Sequence, residues 1–217
     1  ATANAVEYCQ ATPLFCDVEE NTYTIDLFQL EILLETLKKD NICVKAVIPV
    51  HLFGLPAEMD KLKELSAFYG FKIIEDAACA LGSSYKNNLI GTIGDITCFS
   101  FHPRKIITTG EGGMCTTNDI HYFETMHSLR NLGALTSELT KNCPQKPYTM
   151  PNFEMLGYNY RMTDLQASVG LVQMNKLDKI LEERKKWAKM YTEELMSLEW
   201  LITPTCPKHS FHAYQAY

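Results

Sequence analysis

Apolar residues along the chain follow two alternating patterns. The short runs "TPLFCDV" (12–18), "VKAVIPVHL" (44–52) and "FKIIEDAA" (71–78) are nearly continuous, as expected for buried strands. Between the first two, "TIDLFQLEILLETLKKD" places Leu27, Leu30, Ile32, Leu34 and Leu37 at helical spacing, with Asp26 and Gln29 set as a capping box. A second helix is predicted over "EMDKLKELSAFY", with Pro56 suited to its first turn and Gly70 to the position after its end. Strand, helix, strand, helix, strand predicts an α/β fold, a mostly parallel central sheet flanked by helices.

The later half repeats these signals. "ITCFSF" and "GGMCTTND" read as strands, and "DIHYFETMHSLRNLG" as a helix closing at Gly133. Residues 134–158, with Pro144, Pro147, Pro151 and Gly157, form a long irregular connection, a kind of segment that often carries function. From Thr163, which forms a T-x-x-Q box with Gln166, one long helix is expected through "DLQASVGLVQMNKLDKILEERKKWAKMYTEELMSL". The chain opens on what reads as mid-domain helix and closes on "HSFHAYQAY" with no polar tail, so a fragment of a longer protein is expected.

Composition narrows the function classes. The 217 residues carry a net charge of −6 with a pI near 5.5, which gives no general attraction to nucleic acid or anionic membrane. No apolar run reaches the roughly 18–20 residues that span a bilayer. The eight cysteines form no C-x-x-C pair and no His-Cys ligand spacing, which points to free thiols in a reducing cytoplasm rather than a zinc site or disulfide framework.

The candidate chemistry gathers where strands end, because ligands of α/β sheets bind beyond the carboxyl ends of the strands. Asp76 ends "KIIED", and Ser100 and Lys105 end and follow "ITCFSF". A lysine able to form a Schiff base, with a carboxylate for a pyridinium nitrogen, is what pyridoxal phosphate asks of a protein. On spacing alone a solvated lysine is the commoner explanation. Other site types fit less well: "GEGG" lacks the Lys-Ser/Thr of a P-loop, "IGTIGD" does not make G-x-G-x-x-G, and Ser100 has no G-x-S-x-G elbow. His121 and His127 share a predicted helix without metal-ligand spacing.

The series "ATANAVEYCQATPLFCDV", "AVIPVHLFGLPAEMD", "KIIEDAACALGSSYKNNLIGTIGDITCFSFHPRKIITTGEGGMCTTND", "LRNLG" and "GYNYRMTDLQAS" closely resembles the DegT/DnrJ/StrS family of pyridoxal-phosphate-dependent nucleotide-sugar aminotransferases. The resemblance is collinear over nearly the whole chain. It implies a fold type I large domain over residues 1–180 with its N-terminal part missing, and a connecting helix with the start of a smaller C-terminal domain over 181–217. It further implies that Lys105 forms the internal aldimine and shuttles the proton, that Asp76 keeps the pyridine nitrogen protonated, and that Ser100 binds the cofactor phosphate. Asn159 would reach the phosphate of the neighbouring subunit's cofactor, making a homodimer with shared sites.

Cys79 stands where the family usually has glutamine or histidine, and is assigned contact with the ring beside its plain reading as a small buried cysteine. His102, His212 and Tyr214 resemble positions lining the family's active site, where packing alone is an equal explanation. The family's Gly-Thr phosphate loop and its ring-stacking aromatic residue are absent ahead of "ATAN". The expected reaction moves an amino group, with L-glutamate as donor, to a keto carbon of a nucleotide-linked deoxysugar in the cytoplasm. Two alternatives are a sugar dehydratase of the same family, in which histidine replaces the lysine, and a non-catalytic truncated subunit.

Overall fold

In a computed structural model of the chain, residues 1–135 and 152–217 are described. A four-stranded sheet forms the centre, from β1 (Ala46–Val47), β2 (Lys72–Asp76), β3 (Ile96–Ser100) and β4 (Gly113–Thr116) in that spatial order. β1 with β2 and β2 with β3 are parallel, and β4 closes the edge antiparallel to β3. The mostly parallel sheet expected from the apolar runs is therefore present. A smaller antiparallel sheet joins Ser84–Tyr85 to Asn88–Leu89 on one side and to Ser210–Phe211 on the other.

The helices follow their sequence signals. After the short α1 (Thr2–Tyr8), α2 (Leu27–Lys39) starts where the Asp26 carboxylate accepts from the Phe28 and Gln29 amides. It ends with Lys38 and Lys39, whose charge suits the negative end of the helix dipole. Its buried face is Leu30, Leu34 and Leu37, one residue per turn. α3 (Met59–Tyr69) buries Met59, Leu62 and Leu65 and stops at Gly70, whose φ of 79° is left-handed. These residues pack with Val47, Phe71, Ile73 and Ala77 to form the main core. Pro56 lies three residues ahead of α3 rather than in its first turn.

Four further expectations are corrected. The 12–18 run is not a strand: only Val18 bridges, to Ile25, and Leu14 and Phe15 remain exposed for want of a neighbour. In the 44–52 run the ladder is confined to Ala46–Val47, because Pro49 has no N–H to give; pairing resumes at the Val50–Asp76 bridge. The expected single long helix is two, α5 (Asp164–Met174) and α6 (Leu177–Leu195), parted at Asn175–Lys176. The Thr163–Gln166 capping box is formed in both directions. The helix expected to close at Gly133 ends sooner, as α4 (Ile120–Arg130). Most of the 134–158 connection lies outside the described residues.

Leu181 of α6 packs with Phe101, Ile106, Ile107 and Ala213 in a second core cluster. That cluster braces the segment after β3 and so fixes where Lys105 emerges. Among the described residues no helix is long and apolar enough to cross a membrane.

Candidate functional site

Side chains alternate along β2: Ile73 and Glu75 are buried, while Ile74 and Asp76 turn to the opposite face and are half-buried. Asp76 is the register partner of Cys98 in the parallel strand β3, so Cys98 and, two residues on, Ser100 share the face of Asp76. The chain after Asp76 turns at once, its Oδ1 accepting from the Ala78 amide at 3.1 Å. This turn carries Cys79 to Lys105, whose Nζ donates to Cys79 Sγ at 3.3 Å. Four of the expected residues, Asp76, Cys79, Ser100 and Lys105, thus gather at the carboxyl ends of β2 and β3.

The other expected residues arrive by different routes. His102 follows β3 directly; its Nδ1 accepts from the Arg104 amide at 3.1 Å, and its amide donates to Ser100 Oγ at 3.4 Å. The C-terminal segment runs back over the site, the Gln215 amide side chain donating to the Arg104 carbonyl at 2.7 Å. Its rings, His212 and Tyr214, stack with centroids 3.9 Å apart. Burial pushes the His212 imidazole down to about 4, so it is neutral across the physiological range. Burial also raises the Tyr214 phenol, helped by nearby Cys206 and Tyr217.

Gly54, at φ +102°, is the close-approach point of this arrangement. A Cβ there would lie 3.0 Å from the Cys79 carbonyl oxygen and 3.1 Å from both Ala213 and the Tyr214 amide. Asn159 is held elsewhere, on an exposed segment bridged to Asn131, where its Oδ1 accepts from Arg161 Nε at 2.9 Å.

The structure adds residues that the sequence did not flag. Thr2 Oγ1 donates to Asp76 Oδ2 at 2.6 Å across 74 positions of chain. On the far face of β2, the fully buried Glu75 accepts from Gly94 N at 2.6 Å and Thr97 Oγ1 at 2.7 Å, and bonds His51 Nε2 at 2.8 Å. His51 Nδ1 accepts the Ala57 amide at 3.1 Å, which places the imidazole proton on Nε2, directed at Glu75. Burial pushes the Glu75 carboxyl up, yet its bonds to His51, Gly94 and Thr97 prevail and hold it below its usual value. A sign of this network was present: an acid at an inward-facing strand position must find donors.

A second unforeseen pair lies on the Asp76 face. Cys98 and Cys115 are direct partners across β3 and β4, their sulfurs 3.8 Å apart. The Cys98 thiol is raised by its bond to Cys115, while that same bond lowers Cys115 to about 7 against the opposing effect of burial.

The donor set fits pyridoxal phosphate. Lys105 offers an amine whose contact is a sulfur rather than a carboxylate, Asp76 offers carboxylate oxygens for a ring N–H, and Ser100 offers a hydroxyl that can donate.

Comparison with known proteins finds relatives along the whole chain. The chain is 39% identical over 203 residues to GDP-perosamine synthase of Caulobacter vibrioides, covering 94% of the chain and 50% of that protein. It is 34% identical over 218 residues to UDP-N-acetyl-3-dehydro-alpha-D-glucosamine 3-aminotransferase of Acidithiobacillus ferrooxidans, covering 99% of the chain and 54% of that protein. The crystal structure of a DegT DnrJ EryC1 StrS aminotransferase from Brucella abortus superposes with a TM-score of 0.88 at 31% identity, over 100% of this chain and 55% of that one. The chain thus spans about half the length of the curated relatives it matches. With the family's model matching residues 1–217 throughout, the chain belongs to the DegT/DnrJ/EryC1/StrS aminotransferase family.

Proposed function

We propose that this chain forms the cofactor-binding part of a pyridoxal-phosphate-dependent aminotransferase that delivers an amino group to a keto carbon of a nucleotide-linked sugar, with L-glutamate as donor. The observation that carries this reading is the approach of Lys105 Nζ to Cys79, at the turn that follows Asp76. A lysine so placed is not a solvated strand-end residue. It reaches the turn that follows Asp76 and is followed in sequence by Ile106 and Ile107, both buried.

When bound, the cofactor supplies an aldehyde that carries the amino group and a ring that takes up electrons. Lys105 Nζ would hold the cofactor at its aldehyde carbon and would serve as the base and acid for the proton that moves there. Asp76, steadied by Thr2 and the Ala78 amide, would orient the ring by accepting its N–H. The Ser100 hydroxyl would donate to the phosphate, Cys79 would lie against the ring, and Asn159 would donate to the phosphate of a neighbouring copy in a homodimer. His102, His212 and Tyr214 line the substrate side; a neutral His212 stacked on Tyr214 suits an uncharged sugar face.

Two relatives act on sugars carrying different nucleotides, by their names, so nucleotide choice belongs to parts that vary between them. The same reading divides the chain near residue 180, with 181–217 leading into a second domain, and places the enzyme in the cytoplasm.

The test is intact mass after incubation with pyridoxal phosphate and borohydride. A reduced adduct mapped to Lys105, absent in Lys105→Ala, is the expected result. A wild-type chain that gives no Lys105-specific adduct refutes the cofactor assignment for this chain and favours a non-catalytic subunit.

A further inference from the structure

The Asn159 side chain is held by a partner that can only donate. Arginine carries five N–H groups and no acceptor, so a carboxamide that bonds it must present oxygen. Arg161 uses its fork on two such groups at once, Nε to Asn159 Oδ1 at 2.9 Å and Nη1 to Asn131 Oδ1 at 3.0 Å. This contact settles which way both amides face. The Asn159 nitrogen, with its two N–H groups, is turned away from Arg161, and among the described residues it has no acceptor.

The backbone beneath is built to hold this fork. Asn131 and Asn159 form an antiparallel bridge. On either side of it Leu132 N donates to Tyr158 O at 2.8 Å, Tyr158 N to Leu129 O at 2.7 Å, and Tyr160 N to Arg130 O at 3.0 Å. Gly133 and Gly157 meet where the strands cross: a Cβ on Gly157 would lie 2.1 Å from Gly133 N. The rings of Tyr158 and Tyr160 stack at 4.8 Å, 3° from parallel, and flank Asn159 on either side in sequence.

From this geometry we infer that Arg161 is a positioning residue that fixes the Asn159 carboxamide with its nitrogen outward, as a donor to an anionic oxygen supplied from outside this segment. A carboxamide free to flip presents oxygen as readily as nitrogen, and the oxygen repels a phosphate. Arg161 removes that choice and adds a positive charge behind the donor. Asn131 serves the same end by anchoring the second arm of the fork. The inference rests on the proposed function, in which the anion is the phosphate of pyridoxal phosphate bound by a neighbouring copy.

The experiment compares retention of pyridoxal phosphate with retention of pyridoxal, which lacks the phosphate, in wild type, Arg161→Lys and Asn159→Asp. Arg161→Lys keeps the charge and loses the fork. Asn159→Asp keeps an Arg161 partner, and with it the local fold, but loses the N–H donors. Each variant is expected to weaken pyridoxal phosphate retention about tenfold, the worth of one charge-assisted hydrogen bond, and to leave pyridoxal unchanged. In an Asn159→Ala background, Arg161→Lys should have no further effect.

Equal losses for both ligands, additive effects in the Asn159→Ala background, or an Arg161→Lys variant that retains pyridoxal phosphate as wild type does would overturn the inference while leaving the proposed function standing. A wild-type chain that gives no Lys105 adduct overturns the proposed function first, and the inference with it.

Discussion

Replacing Thr97 by valine isolates the part of the fold that holds Asp76 in place. The two side chains have nearly the same shape, and Thr97 is buried, so the change removes one hydroxyl without opening a cavity. That hydroxyl donates to Glu75 Oε1 at 2.7 Å, which then keeps only the Gly94 amide at 2.6 Å. A hydrogen bond to a buried charged group contributes about 1.5–3 kcal/mol, and Thr97→Val is expected to lower the unfolding free energy by that amount at pH 7. Urea unfolding followed by circular dichroism measures it.

The pH dependence carries the mechanism. Glu75 titrates below its ordinary value of 4.5 in the folded chain. Its contribution is therefore complete above pH 4.5 and is lost as the pH falls through the lowered folded value. The difference between wild type and Thr97→Val should be constant from pH 6 to 8 and shrink below pH 4.5. In a Glu75→Gln background the same substitution should cost less, since no charge remains to be satisfied. A cost under about 0.5 kcal/mol at pH 7, or one that does not change with acid, would refute the claim that Glu75 is a buried carboxylate stabilised by its donors.

Further outcomes follow from the same geometry. His51→Leu should destabilise by about 1.5–3 kcal/mol in the same unfolding assay, because it takes one hydrogen-bond donor from a buried carboxylate. Thr2→Val removes the hydroxyl on Asp76 Oδ2 and is expected to weaken pyridoxal phosphate retention roughly threefold to tenfold, with Thr2→Ser restoring it; equal retention in all three would count against a role for Thr2. Cys115, lowered to about 7 by its bond to Cys98, should alkylate with a rate that rises through neutral pH, and Cys98→Ala should move that profile upward; peptide mapping after iodoacetamide reads both. Gly133→Ala should cost more than the roughly 1 kcal/mol of a left-handed conformation, because its Cβ would fall 1.9 Å from the Met155 carbonyl oxygen; denaturant midpoints measure it.

The local chemistry of the chain was legible where a few neighbouring residues decide it. Asp26 and the Thr163–Gln166 pair start helices, Gly70 ends one, and the spacing of Leu30, Leu34 and Leu37 selects a buried face; each works within one or two turns. The strand-end positions of Asp76, Ser100 and Lys105 were legible for the same reason, and the collinear motifs gave them a family. What misled was order that needs a neighbour: the 12–18 run has strand composition but no strand to pair with, and nothing in the sequence between Met174 and Leu177 advertises the break between α5 and α6.

The sequence by itself determined which residue types stand at the ends of β2 and β3, and with them the chemistry available. Tertiary structure alone decided which groups complete that chemistry, because the partners lie far apart along the chain. Thr2 reaches Asp76 across 74 positions, His51 reaches Glu75 across 24, and Arg161 reaches Asn131 across 30. Hydrogen bonds at such separations have no local pattern: a donor satisfies a buried acceptor only after the sheet has set the distance between them, and that distance depends on packing summed over the whole core.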